Sequence, residues 1–378
     1  MEYYDIIIIG AGIAGCGLVY NLQQSMFKGS VLLIDKRDIG SNESYGYRIV
    51  LEDTIKKYKI NYTHIYKGLK IGSNNQVYFT VANKFYLINY KKTCSKLLSA
   101  SKMSFKKEQA IYVNGNYLKT EKENYKFKYL IDCTGTSFFL KKQLSQRLPF
   151  RYWIGHTKIL ENTPKIKDDC MYYMFDDNGF MEDFYPLKNK ILQGDWQYTK
   201  KIDFNMISPS PNTLLKNISS PKVIKEFYSV DPVSPLLPNT YKNYAFLGDS
   251  FSNSTPSSGV GIEPTLESSR MLAYAICKNN LKLYSNLWNK KYFNTYILSL
   301  TSRLDRYHNT SFIEGIKKYP KNTKALKILG KNPTAFIDHL MNRPNFQITK
   351  EIGNIYPNRQ KLFLLFYYLY LRFIYFLK

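Results

Sequence analysis

The sequence predicts a composite α/β (α+β) fold: a parallel-sheet domain built from discontinuous segments, an antiparallel sheet formed by the chain between them, and a helical C-terminal region. Three observations carry this. Asp5-Ile-Ile-Ile-Ile-Gly-Ala-Gly-Ile-Ala-Gly15 joins an apolar run to a glycine-rich turn, and Val31-Leu-Leu-Ile-Asp35 closes a second apolar run on an acid. Tyr129-Leu-Ile-Asp132 and Tyr244-Ala-Phe-Leu247 are further apolar runs that end in small residues. Between the segments lie aromatic-rich stretches with the alternation of strands, separated by Asp, Asn and Gly turns.

Taken in order, Ile6 to Ile9 form a buried parallel strand, Gly10 makes the tight turn, and Gly12 lets the backbone approach a pyrophosphate. Gly15 lets the following helix pack on the strand, with its N-terminus facing the phosphates. Asp35, twenty residues beyond Gly15, falls where a carboxylate accepts hydrogen bonds from adenosine ribose hydroxyls. That points to an unphosphorylated ribose, as in FAD or NAD rather than NADP, on a Rossmann-like domain. Ala14, Lys36 and Arg48 join these residues as cofactor-binding candidates. Tyr129 to Asp132 is another strand, followed by Thr134 and Gly135 in its turn. Tyr244 to Leu247 ends at Gly248-Asp249, where a carboxylate can hold a polyol hydroxyl. Pro256 to Gly261 then forms a loop that opens a helix from about Ile262 to Ile276. Gly259 and Gly261 let backbone N–H groups approach a ligand, and the helix dipole favours negative charge, such as a reduced flavin develops at N1 and O2.

These segments, in this order and at these separations, resemble the FAD-dependent oxidoreductases of the p-hydroxybenzoate hydroxylase group, and within it the geranylgeranyl reductase family. The match rests on Gly10, Gly12, Gly15 and Asp35, on Asp132, Thr134 and Gly135, and on Gly248, Asp249, Pro256, Gly259 and Gly261 followed by Leu266-Glu-Ser-Ser-Arg270. The resemblance implies an FAD-binding domain of the p-hydroxybenzoate hydroxylase/glutathione reductase type, assembled from 1–50, 86–145 and 235–285. It also implies a substrate domain from 51–85 and 146–234, whose antiparallel sheet lies across the flavin, and a helical region over 286–378. Tyr185-Pro186 looks like that family's aromatic-proline turn near the flavin. Two departures stand out: Ser41-Asn-Glu-Ser-Tyr-Gly-Tyr-Arg48 lacks the cysteine some prenyl reductases carry there, and Ile88-Asn-Tyr-Lys-Lys92 offers lysines in place of an arginine.

In the antiparallel region, Trp153, Tyr185 and Trp196 are candidates to line a substrate pocket, against the alternative that they only fill a core. From about Leu281, the residues Leu283, Trp288, Tyr292, Tyr296 and Leu300 recur at roughly helical spacing. The apolar tail 361–378 is short for a spanning helix and is interrupted by Arg372, so it reads as an interfacial membrane helix or as a helix docked on the protein's own helices or at a dimer interface.

Composition narrows the function classes. The formal charge is +25, yet only ten of the 54 basic residues are arginines, and they are scattered. Nucleic-acid binding is not expected, since no basic-aromatic module accompanies the charge. Five cysteines without close pairs fit small buried residues of a reducing compartment. The four histidines lack metal-ligand spacing, so no metal site is expected. A strand that begins at residue 5 leaves no room for a signal peptide, so a cytoplasmic protein, in peripheral contact with a membrane through its tail, is expected. No second GxGxxG is present, so electrons arrive from NAD(P)H at a non-Rossmann site or from a ferredoxin-like protein. The leading expectation is a flavin-mediated reductase of carbon–carbon double bonds in an isoprenoid or other lipophilic small molecule, with Tyr45, Tyr47 or Tyr185 as proton donor. The alternatives are an FAD-dependent monooxygenase or halogenase, a lycopene-cyclase-like flavoprotein with no net redox change, and a non-enzymatic flavin-binding or membrane-scaffold protein. A halogenase would show a Trp-x-Trp-x-x-Pro element, which is absent.

Overall fold

A computed structural model describes residues 1–41, 46–73, 76–99, 101–161, 169–175, 181–207, 222–234, 238–255, 259–293, 296 and 369. Tyr45, Pro256, Leu300 and the tail 361–378, apart from Leu369, lie outside the described residues.

Two eight-stranded sheets organise the described residues. The first takes β1 (Glu2–Ile9), β2 (Val31–Asp35), β6 (Ser104–Lys107), β7 (Ala110–Asn114), β8 (Tyr117–Thr120), β9 (Asn124–Asp132), β15 (Thr240–Tyr241) and β16 (Tyr244–Phe246). Its order is β15-β16-β9-β1-β2-β6, and the strands from β16 to β6 run parallel. The β7–β8 hairpin is antiparallel and extends from the first half of β9. Ile6 to Ile9 and Leu32 to Ile34 are buried throughout, which is why these strands read as unbroken apolar runs rather than alternating ones. Helix α1 (Ile13–Gln24) packs between this sheet and α5 (Ile262–Cys277), and so is buried on nearly every side.

The second sheet takes β3 (Tyr47–Leu51), β4 (Tyr62–Ser73), β5 (Gln76–Asn89), β10 (Tyr152–Glu161), β11 (Cys170–Phe175), β12 (Met181–Leu187), β13 (Lys190–Thr199) and β14 (Val223–Pro232). Its order is β14-β10-β13-β12-β11-β4-β5-β3. The alternation in the sequence anticipates the antiparallel pairs, but β11 runs parallel to β4. That pair joins two stretches of chain too far apart for a hairpin.

The helices α2 (Glu52–Tyr58), α3 (Tyr90–Leu98) and α4 (Phe139–Gln143) connect the strands, and α6 (Leu281–Trp288) follows α5. Leu281, Tyr284 and Trp288 turn inward on α6, whereas Leu283 is only half-buried. Trp288 packs against Phe251, Tyr292 and Tyr296, and its Nε1 donates to Asn253 Oδ1 at 3.2 Å. Cys16, Cys94 and Cys133 are buried free thiols, Cys170 is half-buried, and Cys277 is exposed. No described helix is long and apolar enough to cross a membrane, and the described residues hold no metal-ligand cluster.

Candidate active site

The ends of β1, β2 and β9 meet at the glycine turn. Gly10 has φ +110°, its N–H donates to Ile34 O at 2.7 Å, and a Cβ there would overlap the Cys133 carbonyl, so no other residue fits. A Cβ on Gly15 would overlap the Gly10 carbonyl, which is how closely α1 settles on the turn. Asp35 holds its own loop: Oδ2 accepts from the Ala11 N–H at 2.7 Å and Oδ1 from the Arg37 N–H at 2.9 Å. A carboxylate retains lone pairs for ribose hydroxyls beyond these two bonds. Asp132 fixes the turn after β9, accepting from Thr134 N and Oγ1 at 2.9 and 2.7 Å and from Leu140 N at 2.8 Å. Burial raises its pKa, and those donors pull it back.

The start of α1 differs from the sequence reading in one respect. Tyr90, the first residue of α3, accepts the Ile13 N–H on its hydroxyl at 2.9 Å, so a phenol stands where the phosphates were expected to meet a bare helix end. Burial holds the Tyr90 pKa far above the usual phenol range. The hydroxyl therefore stays protonated and keeps its hydrogen to donate. The Arg48 guanidinium lies 5.6 Å from the Tyr90 ring centroid, and its Nη1 donates to Tyr47 O at 2.8 Å.

At the other side of the space, Gly248 and Gly259 adopt φ of +70° and +69°, and α5 begins behind Gly261 and Ile262. Asp249 and Asp231 face the same space. Burial raises the pKa of both, the Asp249 charge adds to the rise at Asp231, and Arg48 opposes it at each. Ser254 Oγ donates to Asp249 Oδ1 at 3.4 Å.

A single cavity of about 800 Å³ joins these parts. Gly10, Gly12, Ala14, Asp35, Lys36 and Arg48 line it, as do Thr134, Gly135, Gly248, Asp249, Gly259, Gly261 and Ile262. So do Trp153, Tyr185 and Trp196 on the inner face of the second sheet. Of the residues chosen from sequence, Gly15 supports the turn from behind without lining the cavity, and Pro256 lies outside the described residues. The glycine turn, the acid after β2 and the glycine-opened helix fit the pyrophosphate, ribose and ring system of a flavin dinucleotide.

Residues 4–161 match the model of the pyridine nucleotide-disulphide oxidoreductase family. No curated protein sequence matches the chain. Among solved structures, a geranylgeranyl bacteriochlorophyll reductase-like protein from Thermoplasma acidophilum is similar with a TM-score of 0.72 at 15% identity, over 95% of this chain and 98% of that one. A flavin-dependent brominase gives a TM-score of 0.66 at 14% identity, over 93% of this chain and 94% of its own. A flavoprotein/dehydrogenase from Cytophaga hutchinsonii gives 0.65 at 11% identity, over 93% and 99%. The chain has the FAD-dependent oxidoreductase fold.

In that fold the sequence reading missed several lining residues: Tyr90, Tyr173, Asp183, Tyr228 and Asp231, and the 108–110 stretch that leads into β7. A period-2 reading of Met181-Glu-Asp-Phe-Tyr185 groups Asp183 with Met181 and Tyr185, and that was the available signal. Nothing local marks Tyr90, because its role depends on where α3 lands beside α1.

Proposed function

We propose that this FAD-dependent oxidoreductase reduces carbon–carbon double bonds in an isoprenoid or other lipophilic substrate. The observation that carries the reading is continuity: the nucleotide-binding glycines and the aromatic face of the second sheet line one space. A packed aromatic face would leave no room for a substrate beside the cofactor and would favour a binding role instead. Bound FAD would supply the electron-pair and hydrogen transfer itself. The chain's part is to hold and enclose. The turn from Gly10 to Ala14 and the Tyr90 hydroxyl would meet the pyrophosphate, Asp35 the ribose, and Asp249 a ribityl hydroxyl. The first turn of α5 would face the electron-rich edge of the ring system. Trp153, Tyr185 and Trp196 would exclude water and hold an apolar chain. Electrons would come from NAD(P)H bound outside a Rossmann domain or from a ferredoxin-like protein.

The likeness to a reductase-like protein over nearly the whole chain supports the reading. The likeness to a brominase favours a second one, monooxygenase or halogenase chemistry, which the missing Trp-x-Trp-x-x-Pro element opposes. The test is the visible spectrum of the purified protein, followed by anaerobic reduction and addition of a polyprenyl lipid. Reoxidation driven by the lipid without oxygen is the expected result. Lipid-dependent oxygen consumption would establish the second reading, turnover with the flavin unchanged would indicate a cyclase, and a colourless protein unable to take up FAD would overturn all three.

A further inference from the structure

The cavity-facing side of the second sheet is apolar and aromatic, with carboxylates at only a few positions. Asp183 is one of them. On β12 the side chains of Met181, Asp183 and Tyr185 share a face by strand alternation, and all three line the cavity. The carboxylate is 4% exposed, and Tyr185 Oη donates to its Oδ2 at 2.8 Å. Tyr173 Oη, from β11, lies 3.5 Å from Tyr185 Oη and also lines the cavity.

The sheet is built around this group. The residue directly across from Asp183 on β13 is Gly194, where a Cβ would overlap both Asp183 Oδ1 and Trp196 Nε1. Gly155 on β10 likewise leaves room for the Trp196 ring. Among the described residues no lysine or arginine forms an ion pair with Asp183. The neighbouring charges are Asp195 on β13, which raises its pKa, and Asp231 on β14, itself beside Arg48 and Asp249. Burial is the main cause that pushes Asp183 up to about 7, with the Tyr185 hydrogen bond opposing it.

We propose that Tyr185 and Asp183 form a proton-delivery pair for the reduction, in which the phenol gives its proton to the substrate carbon and the carboxyl replaces it. This rests on the reductase reading above. With Asp183 ionised, the phenol hydrogen is committed to Oδ2. With Asp183 protonated, the carboxyl donates to the phenol oxygen, and the phenol hydrogen is released toward the cavity. One alkene carbon receives a hydrogen and two electrons from the reduced cofactor. The other forms its new C–H bond with the phenol proton as the O–H bond breaks. The carboxyl O–H bond then breaks and restores the phenol, leaving a carboxylate that takes a proton from water before the next turnover. Tyr185 is the catalytic residue of the pair, and Asp183 acts through it.

The test uses the full chain as wild type, Asp183→Asn and Tyr185→Phe. In cofactor-free protein, infrared difference spectra are expected to show a protonated carboxyl band that is lost as pH rises through about 7 and is absent in Asp183→Asn. In FAD-loaded protein, anaerobic reoxidation by a polyprenyl alcohol in detergent is expected to slow about 100-fold in both variants at unchanged FAD content. The wild-type rate should fall as pH rises through the carboxyl's titration, and Asp183→Asn should flatten that profile. An absent infrared band, or an active wild type with equally active variants, overturns the pair. An inactive wild type overturns the reductase reading and the pair's role in it together.

Discussion

A carboxyl whose folded pKa stands above its unfolded value destabilises the fold once the unfolded chain can ionise. Asp183 is pushed up to about 7, against about 3.9 for an unfolded aspartate. Below the unfolded value both states are protonated and no penalty exists. As pH rises through the interval the unfolded chain releases its proton first, so stability falls until the folded carboxyl also ionises. Asp183→Asn is therefore expected to raise the melting temperature by several degrees above neutrality and to leave it unchanged in strong acid, as thermal melts at the two extremes would show. Equal shifts at both would count against a buried, proton-holding carboxyl. Glycines make the opposite case. Gly12 faces Tyr90 Oη at 2.8 Å from where a Cβ would stand, and Gly259 sits at φ +69°. Valine at either is expected to abolish FAD retention while far-UV circular dichroism stays native. These glycines were legible in the sequence because the turn demands them locally. Asp183 was marked only by sharing a strand face with Tyr185, and its burial beside the cavity depends on the neighbouring strands. Glu182 faces away, where Gln193 Nε2 donates to it at 2.8 Å.

Among the elements, α5 was legible almost to the residue, since its glycine opening and apolar spacing are local signals. The start of α1 was not, since Tyr90 reaches it from 77 residues away in sequence. A neutral phenol that accepts from Ile13 N can still donate to a phosphate oxygen, and a hydrogen bond to a charged group contributes about 1.5–3 kcal/mol. Tyr90→Phe is accordingly expected to weaken FAD binding at least about tenfold, measured by equilibrium titration of the apoprotein. An unchanged affinity would mean that the phenol serves only the helix end. The docking of α6 makes a separate test. Trp288 is fully buried among three aromatic rings, so Trp288→Ala should cost about 3–5 kcal/mol in denaturant unfolding without altering the flavin spectrum.

For the whole molecule, the cavity between the two sheets makes the cofactor a shared ligand. FAD at a hundred times its Kd should raise the unfolding free energy by about 2.7 kcal/mol, and one cooperative transition should carry both sheets. Two transitions, only one of them moved by FAD, would show that the sheets unfold separately. Sequence patterning gave away each sheet's class, parallel-buried against alternating. The seam where β4 meets β11 stayed hidden, because a parallel pairing leaves no turn signal between its strands. That seam also sets an order on synthesis. Residues 62–73 emerge well before 170–175, so in a growing chain β4 presents an open edge, while the first sheet still lacks β16 beside β9. A fragment ending at residue 161 would hold the glycine turn and the acid of the nucleotide site, yet it would be a sticky precursor rather than a domain. It should partition into inclusion bodies unless the remaining half is supplied in the same cell to close both edges.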